Sequence, residues 1–270
     1  MKRRSEALIV RLATLTEPCR RRKRSRILRN AAESARVVGP VITVVAVYRR
    51  KNARILGALL NQMPDGSDVR LWALDEISPS LAAYTVGVGP GAKFPLLMKA
   101  IGLGPCHGHL IVADDDVVLA VGTISTLIER ATSAGFGIAQ PGHHWSSWIT
   151  HPMLYGRPWR FATDRDFVEI GPLFVVAPGW VEPVVQGFAT SQMGWGLEAI
   201  WYSMKGAGLR VGVIDECLLV HMAAPKMDYD NEAEWQQMRA ALDASGVDRL
   251  WDLFARSSAW SRWRARPPWT

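Results

Sequence analysis

The chain has 270 residues, 49% apolar and 21% charged, with a mean hydropathy near zero. Those proportions exclude a disordered chain, a collagen-like repeat and a polytopic membrane protein. The formal net charge of +7 is not spread evenly: residues 1–30 carry eleven Lys and Arg against Glu6 and Glu17, so the remainder is close to neutral at −2.

Residues 1–36, with the block Arg20–Arg21–Arg22–Lys23–Arg24, read as a solvated, flexible basic arm. Arg11 interrupts the apolar stretch Ala7–Val10 before a signal-peptide core is complete. The longest apolar run, Val37–Val47, is too short to span a bilayer and contains Gly39–Pro40. Cys19, Cys106 and Cys217 have no spacing that closes a zinc site and read as reduced thiols in a cytoplasmic protein.

From residue 40 short apolar runs alternate with helical patterns, the mark of an α/β sheet flanked by helices. Val41–Tyr48 predicts a buried central strand, Ala53–Met63 a helix and Val69–Leu74 a strand ending at Asp75. After Gly89–Pro90–Gly91 come a helix over Lys93–Leu103, a strand over His109–Ala113, a helix over Ile124–Ser133 and a strand over Gly137–Gln140. Residues 141–160 are rich in His and Trp and have no period, which suggests a functional or mobile segment. Strands are expected at Phe167–Val176, Leu209–Ile214 and Leu218–Met222, with a helix over Gly196–Lys205 between the first two. Residues 229–270 read as a helical extension with a basic, aromatic tail.

The sharpest chemical signal is Asp114–Asp115–Asp116 at the end of an apolar strand. Three adjacent carboxylates repel one another, and a hard divalent cation, Mn²⁺ or Mg²⁺, would resolve the conflict at the edge where α/β sheets bind ligands. Tyr48, Arg50, Asp75 and Lys93 lie at neighbouring strand ends or in the Gly-rich turn, and with Asp114 and Asp115 they are candidate nucleotide-binding residues. In Gly194–Trp195–Gly196–Leu197–Glu198 the indole of Trp195 offers a sugar-stacking wall, and Glu198 a carboxylate for an acceptor hydroxyl's proton. His221 ends an apolar run and is a candidate metal ligand. Glu169 is an acid in an apolar segment and needs a partner or a ligand.

In this order and spacing, the triplet and the stretches Phe167–Val–Glu–Ile–x–Pro–x–Phe174, Gly194–Trp–Gly–Leu–Glu198, Gly212–Val–Ile–Asp215 and Val220–His221 resemble glycosyltransferases of the GT-A fold. More narrowly, they are similar to a family of uncharacterised glycosyltransferase-like domains. The resemblance implies a single GT-A-like, Rossmann-like domain over residues 37–228, with a mixed, mostly parallel sheet. It implies a DxD motif in which Asp116 binds the metal directly, Asp114 lies nearer the ribose or the metal's waters, and His221 is a late metal ligand. Trp195 and Glu198 would line the acceptor and donor sugar site.

The related pattern GWGGED places its acid one position after the glutamate, where this chain has Ala199, so the base would be Glu198, Glu169 or Asp215. The resemblance further implies a nucleotide-sugar donor, a UDP- or GDP-sugar, and a hydroxyl acceptor. Other readings are a nucleotidyltransferase and a binding module that has lost turnover. The basic and Trp-rich ends suit peripheral membrane contact, and nucleic acid is not an expected partner.

Overall fold

The computed structural model describes residues 2–33, 39–149, 151–157, 159–223 and 230–255. Helix α1 (Lys2–Ala32) precedes β1 (Thr43–Tyr48), α2 (Ala53–Leu60), β2 (Asp68–Ala73), β3 (Thr85–Val88) and α3 (Lys93–Ile101). Next come β4 (Leu110–Ala113), β5 (Val117–Val121), α4 (Ile124–Ser133), β6 (Ile138–His143), β7 (Ala162–Arg165) and β8 (Leu173–Val176). The chain continues through α5 (Val181–Phe188), α6 (Leu197–Ser203), β9 (Val211–His221), α7 (Asn231–Ala244) and α8 (Leu250–Ala255).

Among the described residues these strands form one nine-stranded mixed sheet, ordered β3-β2-β1-β4-β8-β6-β9-β5, with β7 paired to β9. Strands β1 to β4 are mutually parallel, as their helical crossovers require. Strands β8 and β5 then run antiparallel to β4 and β9.

Helices cover both faces, so the central strands are apolar throughout rather than alternating. Successive side chains of β1 divide between two cores: Val44, Ala46 and Tyr48 pack with Leu56, Leu59 and Leu127 on one face. Val45 and Val47 join Phe94, Phe188 and Trp201 on the other. A third, smaller core unites α7 with α6 through Met238, Leu242 and Ala199. No helix among the described residues is long and apolar enough to cross a membrane.

Strands β3, β5 and β7 and helix α5 are elements beyond those expected, and three of the expected segments take another form. Residues 2–32, read as part of a flexible arm, are helical, and the second half of α1 packs on the sheet through Ile27 and Ala31. Arg24 is buried there: it pairs with Glu17, donates to the Ser146 carbonyl at 2.8 Å and lies over the Trp148 ring. A narrow apolar stripe among so many cations carries little periodic signal.

The strand expected over 167–176 begins only at Leu173, because residues 167–172 leave the ladder and instead bond to side chains and to the acidic turn. The two strands expected over 209–222 are one, β9. Its pairing register with β6 jumps from Ile214 to Leu218, so Asp215–Cys217 bulge without ending it. The basic, Trp-rich tail from 256 to 270 lies outside the described residues.

Candidate active site

The acidic triplet is the turn between β4 and β5. Because β5 runs antiparallel to β9 with Val117 opposite His221, sheet register carries a residue more than a hundred positions away to the side of Asp116. The backbone reinforces this, Met222 N–H donating to the Asp116 carbonyl at 2.8 Å. His221 Nε2 lies 2.9 Å from Asp116 Oδ1, and one donor atom each from Asp114, Asp116 and His221 fall within 4.8 Å of one another. Two carboxylates and an imidazole, partly exposed at a cleft, fit a hard divalent cation such as Mn²⁺ or Mg²⁺. Burial disfavours the His221 imidazolium, but the hydrogen bond and charge of Asp116, aided by Asp114 and Glu169, outweigh it and raise the pKa.

Each acid of the triplet has a different task. Lys93, at the start of α3, pairs with Asp114. Gly171 makes room for that carboxylate: a Cβ there would sit 2.7 Å from Asp114 Oδ2. Asp115 turns away from the cluster and accepts from Arg49 N–H at 2.7 Å and Asn52 Nδ2 at 2.9 Å, fixing the end of β1. Burial, reinforced by the charges of Asp116 and Asp114 against these hydrogen bonds, raises its pKa to about 6.

The cleft beside the cluster encloses about 770 Å³. Its lining brings together Lys93, Asp114, Asp115, Asp116, Glu169, Trp195 and His221, seven of the residues singled out from sequence. Glu169 reaches it because the chain before β8 leaves the sheet, its N–H taken by Gln140 Oε1 at 2.6 Å. Its carboxylate lies 3.0 Å from His143 Nε2 and 3.9 Å from His151 Nε2. His143 is held from behind by Ser147 Oγ, which also accepts His221 N–H at 2.9 Å. Burial lowers the His151 pKa; the Glu169 charge opposes the shift and the neighbouring His143 adds to it.

Trp195 stacks edge to face on Trp235, with ring centroids 5.5 Å apart, and forms an apolar wall with Met193 and Ile149. Both flanking glycines have positive φ, +103° at Gly194 and +92° at Gly196. A Cβ at Gly196 would meet Ala241 of α7 at 2.7 Å, so α7 closes directly over this turn.

The other sequence candidates lie outside the cleft lining. Tyr48 is buried, its hydroxyl 2.9 Å from Thr85 Oγ1 and accepting Ser78 N–H at 3.1 Å. Arg50 pairs outward with Glu76. Asp75 accepts the N–H groups of Arg50 and Glu76; its small burial acts to raise its pKa, but these bonds lower it overall. Asp215 is buried in the bulge of β9, binding Thr163 Oγ1 at 2.6 Å and Arg157 N–H at 2.9 Å.

Glu198 is enclosed behind the Trp195 turn, only 7% exposed. Burial raises its pKa to about 8; the Glu169 charge adds to the shift, and the N–H groups of Glu198, Gly196 and Ile170 oppose it. The folded state therefore holds a proton that the unfolded chain releases near the ordinary glutamate value of 4.5. The stability this group contributes is complete below that value and is lost as pH rises toward the folded pKa.

Glu198→Gln removes this loss. It is expected to leave stability at about pH 5 little changed and to raise it by a few kcal/mol at about pH 8, read by denaturant unfolding. Parallel pH profiles for the two proteins would show that Glu198 is not held protonated.

Arg49, Asn52, His143, Trp148, Asp230 and Glu234 also line the cleft without having been assigned to it individually from sequence. His143 and Trp148 belong to the aperiodic segment already marked as functional or mobile. Asp230 and Glu234, at the start of α7, carried no signal. Asp230 caps that helix by accepting from Glu232 and Ala233, a sufficient local reason for its presence.

No protein-family model and no curated protein sequence matches the chain. Solved structures do. GalNAc-T7, crystallised with UDP, GalNAc and Mn²⁺, aligns with a TM-score of 0.53 at 10% identity over 75% of this chain and 48% of its own. The chain thus spans about half the length of that protein. The S. aureus TarS fragment 1-349, in complex with UDP-GlcNAc, aligns with a TM-score of 0.48 at 10% identity, over 74% of this chain and 71% of its own. The fold is the GT-A arrangement of glycosyltransferases.

Proposed function

We propose that the chain is a metal-dependent glycosyltransferase that moves a sugar from a nucleoside-diphosphate donor to a hydroxyl acceptor. The observation that carries the reading is the Asp114–Asp116–His221 cluster at the mouth of a cleft, on a fold shared with a protein crystallised with UDP and Mn²⁺. Asp114, Asp116 and His221 would hold the cation. Its contribution would be to offset the negative charge that develops on the departing diphosphate.

The protein's own residues supply the rest. Lys93 adds a positive charge beside Asp114 in the cleft lining, where it could meet a diphosphate held by the cation. Arg49, Lys51 and Asn52 extend the polar edge on which the nucleotide would rest, and Trp195 with Trp148 gives flat apolar walls for sugar rings. Both candidate carboxylates are buried, but Glu169 lines the cleft and Glu198 does not, so we assign Glu169 to the acceptor proton and Glu198 to the support of the turn beneath Trp195. His143 and His151 converge on Glu169 and fix its rotamer.

The experiment is donor turnover: UDP- and GDP-sugars incubated with protein and Mn²⁺, with free nucleoside diphosphate measured in the presence of water and of a panel of hydroxyl acceptors. Diphosphate release abolished by EDTA is the expected result. Pyrophosphate release from nucleoside triphosphates would instead mark a nucleotidyltransferase. Metal-dependent donor binding without turnover would mark a binding module.

A further inference from the structure

We propose that the outer face of α1, together with Trp145, is a docking surface for an anionic lipid bilayer. The inward face of the helix is spoken for: Arg24, Ile27 and Ala31 are buried against the sheet. Opposite them Arg22, Arg26 and Arg29 are exposed. At spacings of four and three residues they fall in one row, about 10 Å long at the helical rise of about 1.5 Å per residue. Arg21, Lys23 and Trp145 share the shallow depression that this row borders.

None of these six side chains is used by the cleft, and Trp145 stands out as an indole 49% exposed on a basic surface. Its ring centroid lies 5.5 Å from that of His144, and about half of the residue's surface meets water. At a bilayer interface an indole is in its preferred zone, while guanidinium groups beside it meet phosphates.

Charge and shape favour a bilayer over a nucleic acid. A straight row of cations with one flanking aromatic matches a plane of headgroups, and each Lys or Arg near such a surface contributes independently. A nucleic acid would engage a broader basic footprint, but beyond residue 30 the chain is slightly acidic, at −2. Because Ile27, Leu28 and Ala31 in the second half of α1 face the core, that half of the helix lies on the bilayer rather than entering it.

The surface is adjacent to the cleft. Residues 144–149 form a short bridge on which Trp145 faces the basic depression, while Trp148 and Ile149 line the cleft. Arg24 clamps the two sides together, bonding the Ser146 carbonyl and lying over Trp148. Whatever binds the row sits beside the cleft mouth.

The test is co-sedimentation of the full chain with phosphatidylglycerol/phosphatidylcholine vesicles, which needs no turnover and so stands apart from the transferase reading. Binding at low salt, its loss at high salt, and none to pure phosphatidylcholine are expected. The triple variant Arg22→Gln/Arg26→Gln/Arg29→Gln, exposed throughout and so expected to melt like the parent, should bind about 100-fold more weakly. Trp145→Ala should weaken binding several-fold. The tail variant Arg262→Gln/Arg264→Gln/Arg266→Gln should retain most of it. No sedimentation at low salt, undiminished binding by the α1 variant, or loss confined to the tail variant would overturn the proposal. So would α1-dependent binding of an RNA duplex without vesicle binding.

Discussion

Asn in place of Asp116 is expected to lower transfer by at least about 10³-fold while moving the thermal midpoint by no more than a degree or two. The substitution removes the charged oxygen nearest His221, 2.9 Å away, and with it one of three donors to the cation. The amide still accepts from an imidazole N–H, and the backbone bond from Met222 to the Asp116 carbonyl is untouched, so the join between β5 and β9 persists. Activity and stability should therefore separate. Steady-state rates at saturating Mn²⁺ and a thermal melt, taken on the same preparation, read both. A variant that keeps its rate would remove Asp116 from the metal assignment, and one that unfolds would make the cluster structural.

Glu169→Gln should produce the second large loss, about 10² to 10⁴-fold in kcat, the usual scale for a general base. The amide is isosteric and keeps a hydrogen bond to His143, so the chain should fold and donor binding should survive. What disappears is a group able to take the acceptor's proton. The discriminating readout is the division between kcat and donor KM: the first falls and the second stays within a few-fold. Equal losses in both would assign Glu169 to donor binding.

The strands β1 and β4 were legible because strands buried on both faces are continuously apolar, and the triplet stood out because adjacent carboxylates need an explanation. His221 was found as a strand-end residue, but its approach to Asp116 depends on the pairing of β5 with β9, a long-range register that local pattern does not encode.

Tyr48 is the opposite case. Strand parity already groups it with Val44 and Ala46 on one face, and that face is a core. Its position at a strand end suggested the ligand edge instead. Glu198 is enclosed for a different reason. As a first-turn acid on α6 it has every local mark of exposure, and only the packing of α7 over Gly196 encloses that turn. Glu169 gained its place through a departure from strand geometry that an apolar, strand-like stretch conceals.

We infer that a divalent cation and a nucleoside diphosphate bind together at Asp114, Asp116 and His221. A thermal-shift titration with UDP, GDP, CDP and dTDP, each with Mn²⁺ and with EDTA, tests it most directly, since ligand binding to the folded state raises the midpoint by mass action. The expected result is a rise with one or two of the nucleotides, present with Mn²⁺, absent with EDTA and absent in Asp116→Asn. A midpoint unmoved by any nucleotide with Mn²⁺, or moved equally in EDTA, would contradict it.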